Sequence, residues 1–230
     1  MTPLRKHKPI LLINCKNYTE ASGNGLARIV EESLENAAGV SLFVAPPSVS
    51  LQMVAACAPR VQVLAQHIDV PEKPASTGWL AIDQAIAAGA IGTLINHAEH
   101  QLSLLSIKER VDACKQRKIS SIVCTPTMRH LRQVVRLRPT MIAYEPPELI
   151  GGTISVTSAN PTILTQAAAI VKKYAPKTML LCGAGVKTGE DAAMAIQLGC
   201  KGILVASGIV TAKNPGKIVK EMANGMRKDG

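Results

Sequence analysis

Short apolar runs recur along this chain, and segments with helical spacing fill the intervals between them. The first run is Ile10-Leu11-Leu12-Ile13, with Asn14-Cys15-Lys16 at its C-terminal end. Leu26, Ile29, Val30 and Leu34 then repeat at helical spacing and predict a helix over 23–36. Leu42 to Ala45 is a second strand stopped by Pro46-Pro47, and 49–58 is a second helix that ends before Pro59. A third strand covers 61–65, a polar loop runs from Gln66 to Gly78, and Ile82, Ala85, Ile86 and Ala88 mark a third helix. Ile91 to Ile95 is the fourth strand, followed by Asn96-His97-Ala98-Glu99. Ser106 and Glu109 have the spacing of a capping box, which puts a helix start at Ser106. Strands at 122–124 and 141–144, an amphipathic helix at 158–173 and a strand at 179–182 come next. Thr188-Gly189-Glu190-Asp191 opens another helix, 202–205 is the eighth strand, and 216–227 is the last helix.

Eight strands that alternate with helices at intervals of roughly thirty residues predict one (β/α)8 barrel. A doubly wound open sheet is the alternative, although it ordinarily has fewer strands. No linker or shift in composition divides the chain. The expectation is a single domain over 1–230, with 1–8 as a basic N-terminal extension.

Composition sharpens this picture. Apolar residues make up 47% of the chain, yet Phe and Trp occur once each. The core must therefore be Ala, Val, Ile and Leu, as parallel strands buried on both faces require. The net charge of +10 comes from 26 Lys and Arg against 16 Asp and Glu. No basic cluster interleaved with aromatics appears, so nucleic acid is not an expected partner. An anionic small substrate or a solvated basic surface fits the charge better. The six cysteines form no Cys-x-x-Cys pair and read as buried free thiols of a reducing compartment. The apolar run near the N-terminus is too short for a signal-peptide core, and no run approaches a membrane span. A cytoplasmic protein with no membrane partner is expected.

In such a barrel, functional side chains belong where strands end and the following loops begin. Lys16, His97 and Glu145 stand at or just past the ends of strands one, four and six. Glu145 also roots a segment with a stiff start, Pro146-Pro147, an apolar middle, Leu149-Ile150, and a soft end, Gly151-Gly152. That is the build of a hinged lid over a base. Gly183-Ala184-Gly185 and Ala206-Ser207-Gly208 follow strands seven and eight, where small residues let backbone N–H groups approach an anion. Each feature alone has a plain alternative: a charged strand end, a satisfied histidine, a surface loop, a tight turn. Glu99 reads as a first-turn helix acid favoured by the dipole. His97-Ala98-Glu99-His100, with His67, invites a metal reading, but the spacing matches no closed zinc site. Together, a cation, an imidazole, a lidded carboxylate and a phosphate cradle suit proton transfer beside a carbonyl on a phosphorylated substrate.

At this point the chain resembles the triosephosphate isomerase family, and within it the short archaeal type. The matching pieces are Ile13-Asn14-Cys15-Lys16, Ala65-Gln66-His67-Ile68-Asp69, Asn96-His97-Ala98-Glu99, Tyr144 to Gly151, Leu181 to Gly185 and Ala206-Ser207-Gly208. The resemblance implies Glu145 as the base between two carbons, His97 as the proton shuttle between two oxygens, and Lys16 as the cation for phosphate and enediolate. It implies Asn14 as a substrate-positioning partner and Glu99 as the acid of the histidine motif. Ile150, Gly151, Gly185, Ala206 and Ser207 are implied in substrate and phosphate binding. It implies a triose phosphate substrate, no metal and no organic cofactor. The loop 66–78 resembles one that inserts into a neighbouring subunit, so a homodimer or tetramer is expected. Ala98 stands where many relatives have Ser, and Gly152-Thr153 where they read Thr-Gly. A non-catalytic phosphate binder on the same barrel, or another phosphate-binding barrel isomerase or synthase such as one of tryptophan biosynthesis, stays open beside this reading.

Overall fold

A computed structural model describes residues 8–71, 73–146 and 161–227. The strands are β1 (Ile10–Asn14), β2 (Ser41–Ala45), β3 (Gln62–Val63), β4 (Gly92–Ile95), β5 (Ser120–Thr125), β6 (Met141–Tyr144), β7 (Met179–Cys182) and β8 (Gly202–Val205). All pair in parallel in the order β3-β2-β1-β8-β7-β6-β5-β4. The two outer strands then meet. An isolated parallel bridge joins Ala65 to Thr93, and Ala65 N donates to Gly92 O at 2.9 Å. The eight-stranded barrel expected from the apolar runs is what the chain forms.

Alternation along each strand sorts the core into two layers. Ile10 and Leu12 face the barrel interior with Phe43, Leu94, Ile122 and Leu204. Leu11 and Ile13 face the surrounding helices and pack in the outer layer with residues such as Leu26 and Val219. Strands such as β1, β4, β6 and β8 are therefore dry on both faces, which is why their runs read as continuous rather than alternating. The outer ring includes α1 (Gly23–Asn36), α2 (Leu51–Cys57), α3 (Ile82–Ala87), α4 (Leu104–Arg117), α5 (Met128–Val134), α6 (Pro161–Tyr174), α7 (Gly189–Gln197), the short α8 (Ser207–Val210) and α9 (Pro215–Arg227). No described helix is long and apolar enough to cross a membrane.

Three local expectations change. Helix α4 begins one turn early because Ser103, not Ser106, is the cap: its Oγ accepts the Ser106 N–H at 3.1 Å. Glu99 is in a turn five residues before even this earlier start, so the dipole reading of that residue falls away. Helix α5 was not expected at all, and Thr127 caps it by accepting the His130 N–H. The Thr188–Asp191 start of α7 is a complete capping box, as its sequence indicates. Five of the six free cysteines are buried and only Cys57 is exposed.

Candidate active site

Strand parity delivers the site. Met141 and Ala143 face the barrel interior, and the same two-residue step carries Glu145 to the strand's C-terminal mouth. Its backbone N–H stays on the ladder, donating to Thr125 O at 2.9 Å. Glu145 is buried at 2% exposure, and neither carboxylate oxygen has a formed hydrogen bond among the described residues. Space for it depends on the neighbouring strand: a Cβ on Gly183 would stand 2.4 Å from Glu145 Cγ.

Lys16 and Asn96 occupy corresponding places after β1 and at the end of β4, and both hold the left-handed backbone that L-residues resist, φ 46° and 61°. Neighbours clamp each one. Asn14 Oδ1 accepts the Lys16 N–H at 3.0 Å, and Gln66 Nε2 donates to Lys16 O at 2.9 Å. Asn96 Nδ2 donates to Cys124 O at 2.9 Å while its Oδ1 accepts the Leu102 N–H at 2.8 Å. Asn14 is 3% exposed and lies beneath Lys16 rather than among the residues that line the cavity.

His97 follows Asn96, and its ring is oriented by a backbone contact. The Glu99 N–H donates to His97 Nδ1 at 3.2 Å, so Nδ1 is the acceptor and the neutral ring carries its proton on Nε2. That Nε2 stands 4.0 Å from Glu145 Oε2. Burial is the main cause that pushes the imidazole pKa below its ordinary value; Glu99 opposes the shift and Lys16 adds to it. Glu99 Oε1 also receives the Lys16 ammonium at 2.5 Å. A four-residue turn thus positions the imidazole and neutralises the cation.

These side chains open on a cavity of about 460 Å³, whose far wall is Gly183 to Val186 and whose roof is Ala206 to Gly208. Gly185 takes φ +71°, which turns the β7 loop toward α7. Gly185, Ala206 and Ser207, expected as the phosphate cradle, all line the cavity. Ile150 and Gly151, with the rest of the expected lid from Pro147 through Thr153, lie outside the described residues. Tyr18 and Lys187 line the cavity too and were missed. Lys187 sits between Val186 and Thr188 with nothing in its neighbourhood to mark it out; Tyr18, two residues past Lys16, had a positional signal.

His67 and His100 do not join the site as ligands. Their rings stack with centroids 4.1 Å apart, and His67 Nε2 is hydrogen-bonded to Asp69 Oδ1 at 3.0 Å. Among the described residues no three His, Cys, Asp or Glu side chains converge as a metal-holding group.

Burial is the largest influence on Glu145 and raises its pKa to about 8; the Cys124 thiol and Lys16 pull it back, and Glu99 pushes it up. The free protein then holds its base protonated at neutral pH. Catalytic efficiency, kcat/KM, should climb with pH and level off near 8, because that ratio reports the free enzyme. A flat profile from pH 6 to 9 would mean that Glu145 is already ionised. Linkage has a defined sign. A carboxyl with a raised folded pKa contributes stability below its ordinary value of 4.5, and this contribution fades as pH rises towards about 8.

A parallel barrel with a buried carboxylate, an oriented imidazole and an ammonium at the carboxyl ends of its strands defines a (β/α)8 enzyme built for acid–base chemistry. A family model described as triosephosphate isomerase matches residues 9–222. A triosephosphate isomerase of Cenarchaeum symbiosum is 39% identical over 220 residues, covering 95% of this chain and 98% of its own length. Those of Methanothermobacter thermautotrophicus and Methanocaldococcus jannaschii are each 38% identical; the first covers 91% of this chain and 92% of itself, the second 93% and 98%. The chain belongs to the triosephosphate isomerase family.

Proposed function

We propose that this chain interconverts dihydroxyacetone phosphate and D-glyceraldehyde 3-phosphate, a step of glycolysis and gluconeogenesis, with Glu145, His97 and Lys16 as the reacting groups. The observation that carries the assignment of roles is the His97 tautomer: the N–H that faces Glu145 and the cavity is on Nε2. A neutral histidine with a carboxylate base is the family's known pair, and the Glu99 amide on Nδ1 is the local reason for it in this chain.

Glu145, once ionised, removes the C–H proton next to the carbonyl and returns it to the adjacent carbon. His97 Nε2–H gives its proton to the carbonyl oxygen and recovers one from the neighbouring hydroxyl. The Lys16 ammonium stabilises the negative charge that builds on the enediolate between these steps. Asn14 helps position substrate and also fixes Lys16, whose N–H its Oδ1 accepts at 3.0 Å. Gly185, Ala206 and Ser207 are the backbone grip on phosphate, and Ile150 and Gly151 complete it from the lid. A non-catalytic phosphate binder has no use for a buried carboxyl beside an oriented imidazole, and the burial of Glu145 weighs against that alternative.

The test is a coupled assay with either triose phosphate, run before and after exhaustive chelation. Full activity is expected in both. Absence of turnover refutes the function, and a loss that zinc restores refutes the cofactor-free mechanism.

The same reading includes a single domain over 1–230, a cytoplasmic location and a homo-oligomer, dimer or tetramer, assembled through the loop 66–78. Exposed Val49 (97%) and Trp79 (56%), on the connections after the adjacent strands β2 and β3, support an apolar contact there. Sedimentation should give at least twice the monomer mass of 24.3 kDa; a monomer at micromolar concentration removes the oligomer.

A further inference from the structure

The charges around the cavity do not balance in the way that Lys16 alone would require. Its ammonium is already held by Glu99 Oε1 at 2.5 Å. Glu145 adds no positive charge in either state. A triose phosphate near neutral pH carries close to two negative charges. Among the described residues that line the cavity, Lys187 is the lysine that forms no ion pair with another described residue. It is exposed.

The backbone beneath Lys187 is fixed. Its N–H donates to Asp191 Oδ2 at 3.0 Å, and the same oxygen accepts the Thr188 N–H at 3.0 Å. The side chain therefore leaves from an anchored point where the glycine wall meets the first turn of α7. Helix α7 has nine residues and a complete capping box, so its own N-terminal donors are partly satisfied from within. An exposed ammonium on an anchored root, lining the same cavity as Gly185 and Ala206 to Gly208, is what a dianion calls for there.

We propose that Lys187 is a second phosphate-binding cation of this site, taking the substrate's phosphate together with the Gly185, Ala206 and Ser207 amides and adding its charge to that of Lys16. The inference rests on the isomerase reading and assigns a binding residue within it. Lys16 then serves both the reacting oxygens and the phosphate, and Lys187 the anionic handle alone.

The experiment compares wild type, Lys187→Met, Lys187→Arg and Lys172→Met, a distant exposed lysine on α6 that carries the same charge. KM for glyceraldehyde 3-phosphate and the inhibition constant of inorganic phosphate are measured at low and high salt. Lys187→Met should raise both constants together by about tenfold, a discounted figure for a charge-assisted bond at a solvent-facing site, with a smaller change in kcat. Lys187→Arg should restore most of the affinity and Lys172→Met should change neither constant. The Lys187→Met effect should persist at high salt, since a contact is screened less than a long-range field. An unchanged phosphate inhibition constant in Lys187→Met overturns the proposal, as does an equal effect from Lys172→Met. An inactive wild type would overturn the isomerase reading instead, and phosphate binding followed by calorimetry in the same variants would still decide the role of Lys187.

Discussion

Lys16→Met should lower kcat/KM by on the order of 10³-fold or more, since loss of a single aimed donor already costs about 10²–10³ in kcat. The structure adds a second penalty. Lys16 Nζ neutralises Glu99 at 2.5 Å, so removing the ammonium leaves an uncompensated carboxylate next to the cavity proposed to take the phosphate. Binding of phosphate-bearing inhibitors should therefore weaken along with turnover. Adding Glu99→Gln to the mutant separates the two effects: inhibitor binding recovers in part, while kcat stays low because nothing replaces the charge at the enediolate. Methionine keeps the approximate length of the side chain, and the left-handed backbone at φ 46° is equally strained for either residue. Tight inhibitor binding with near-normal turnover in Lys16→Met would make Lys16 a strand-end residue and nothing more.

Glu145→Asp should lower kcat by on the order of 10²-fold while KM changes little. Loss of one methylene draws the carboxylate back by about 1 Å, and misplacement on that scale is costly for proton transfer. The register argues that nothing compensates. Glu145 N is tied to Thr125 O at 2.9 Å, and the Gly183 wall confines the side chain, so the backbone cannot advance to restore reach. The proposed phosphate contacts at Gly185, Ala206 and Ser207 come from other strands and should survive. An unchanged kcat removes Glu145 from the base role.

The barrel was readable because parallel strands dry on both faces leave continuous runs such as Ile10 to Ile13 and Met141 to Ala143. Lys16, His97 and Glu145 were readable for a related reason: a polar residue at the end of such a run has a position before it has a partner. What escaped was local. In α5 only Leu131 and Val134 are buried, too few to show a period; its single signal was the Thr127 cap. The start of α4 was masked because Leu104 and Leu105 are exposed at 44% and 67%, so apolar spacing did not mark the first turn. Between two candidate serines, the pair with an acid three residues on looked stronger, yet Ser103 captured the free N–H. Lys187 carried no signal, since its place on the cavity depends on β7 and β8 standing side by side, which the sequence alone does not show.

The buried cysteines have a use beyond packing. Cys15 follows β1, Cys114 is on α4, Cys124 in β5, Cys182 at the end of β7 and Cys200 just before β8, all with thiols that burial holds well above their ordinary pKa. Only Cys57 is open to a reagent in the closed barrel. Every other thiol reacts at the rate at which its own sector comes apart, since a thiolate must first meet water. The wild-type chain thus carries five timers spread around its circumference. Their order of alkylation, followed by mass, would map which part of the ring parts first with no label introduced.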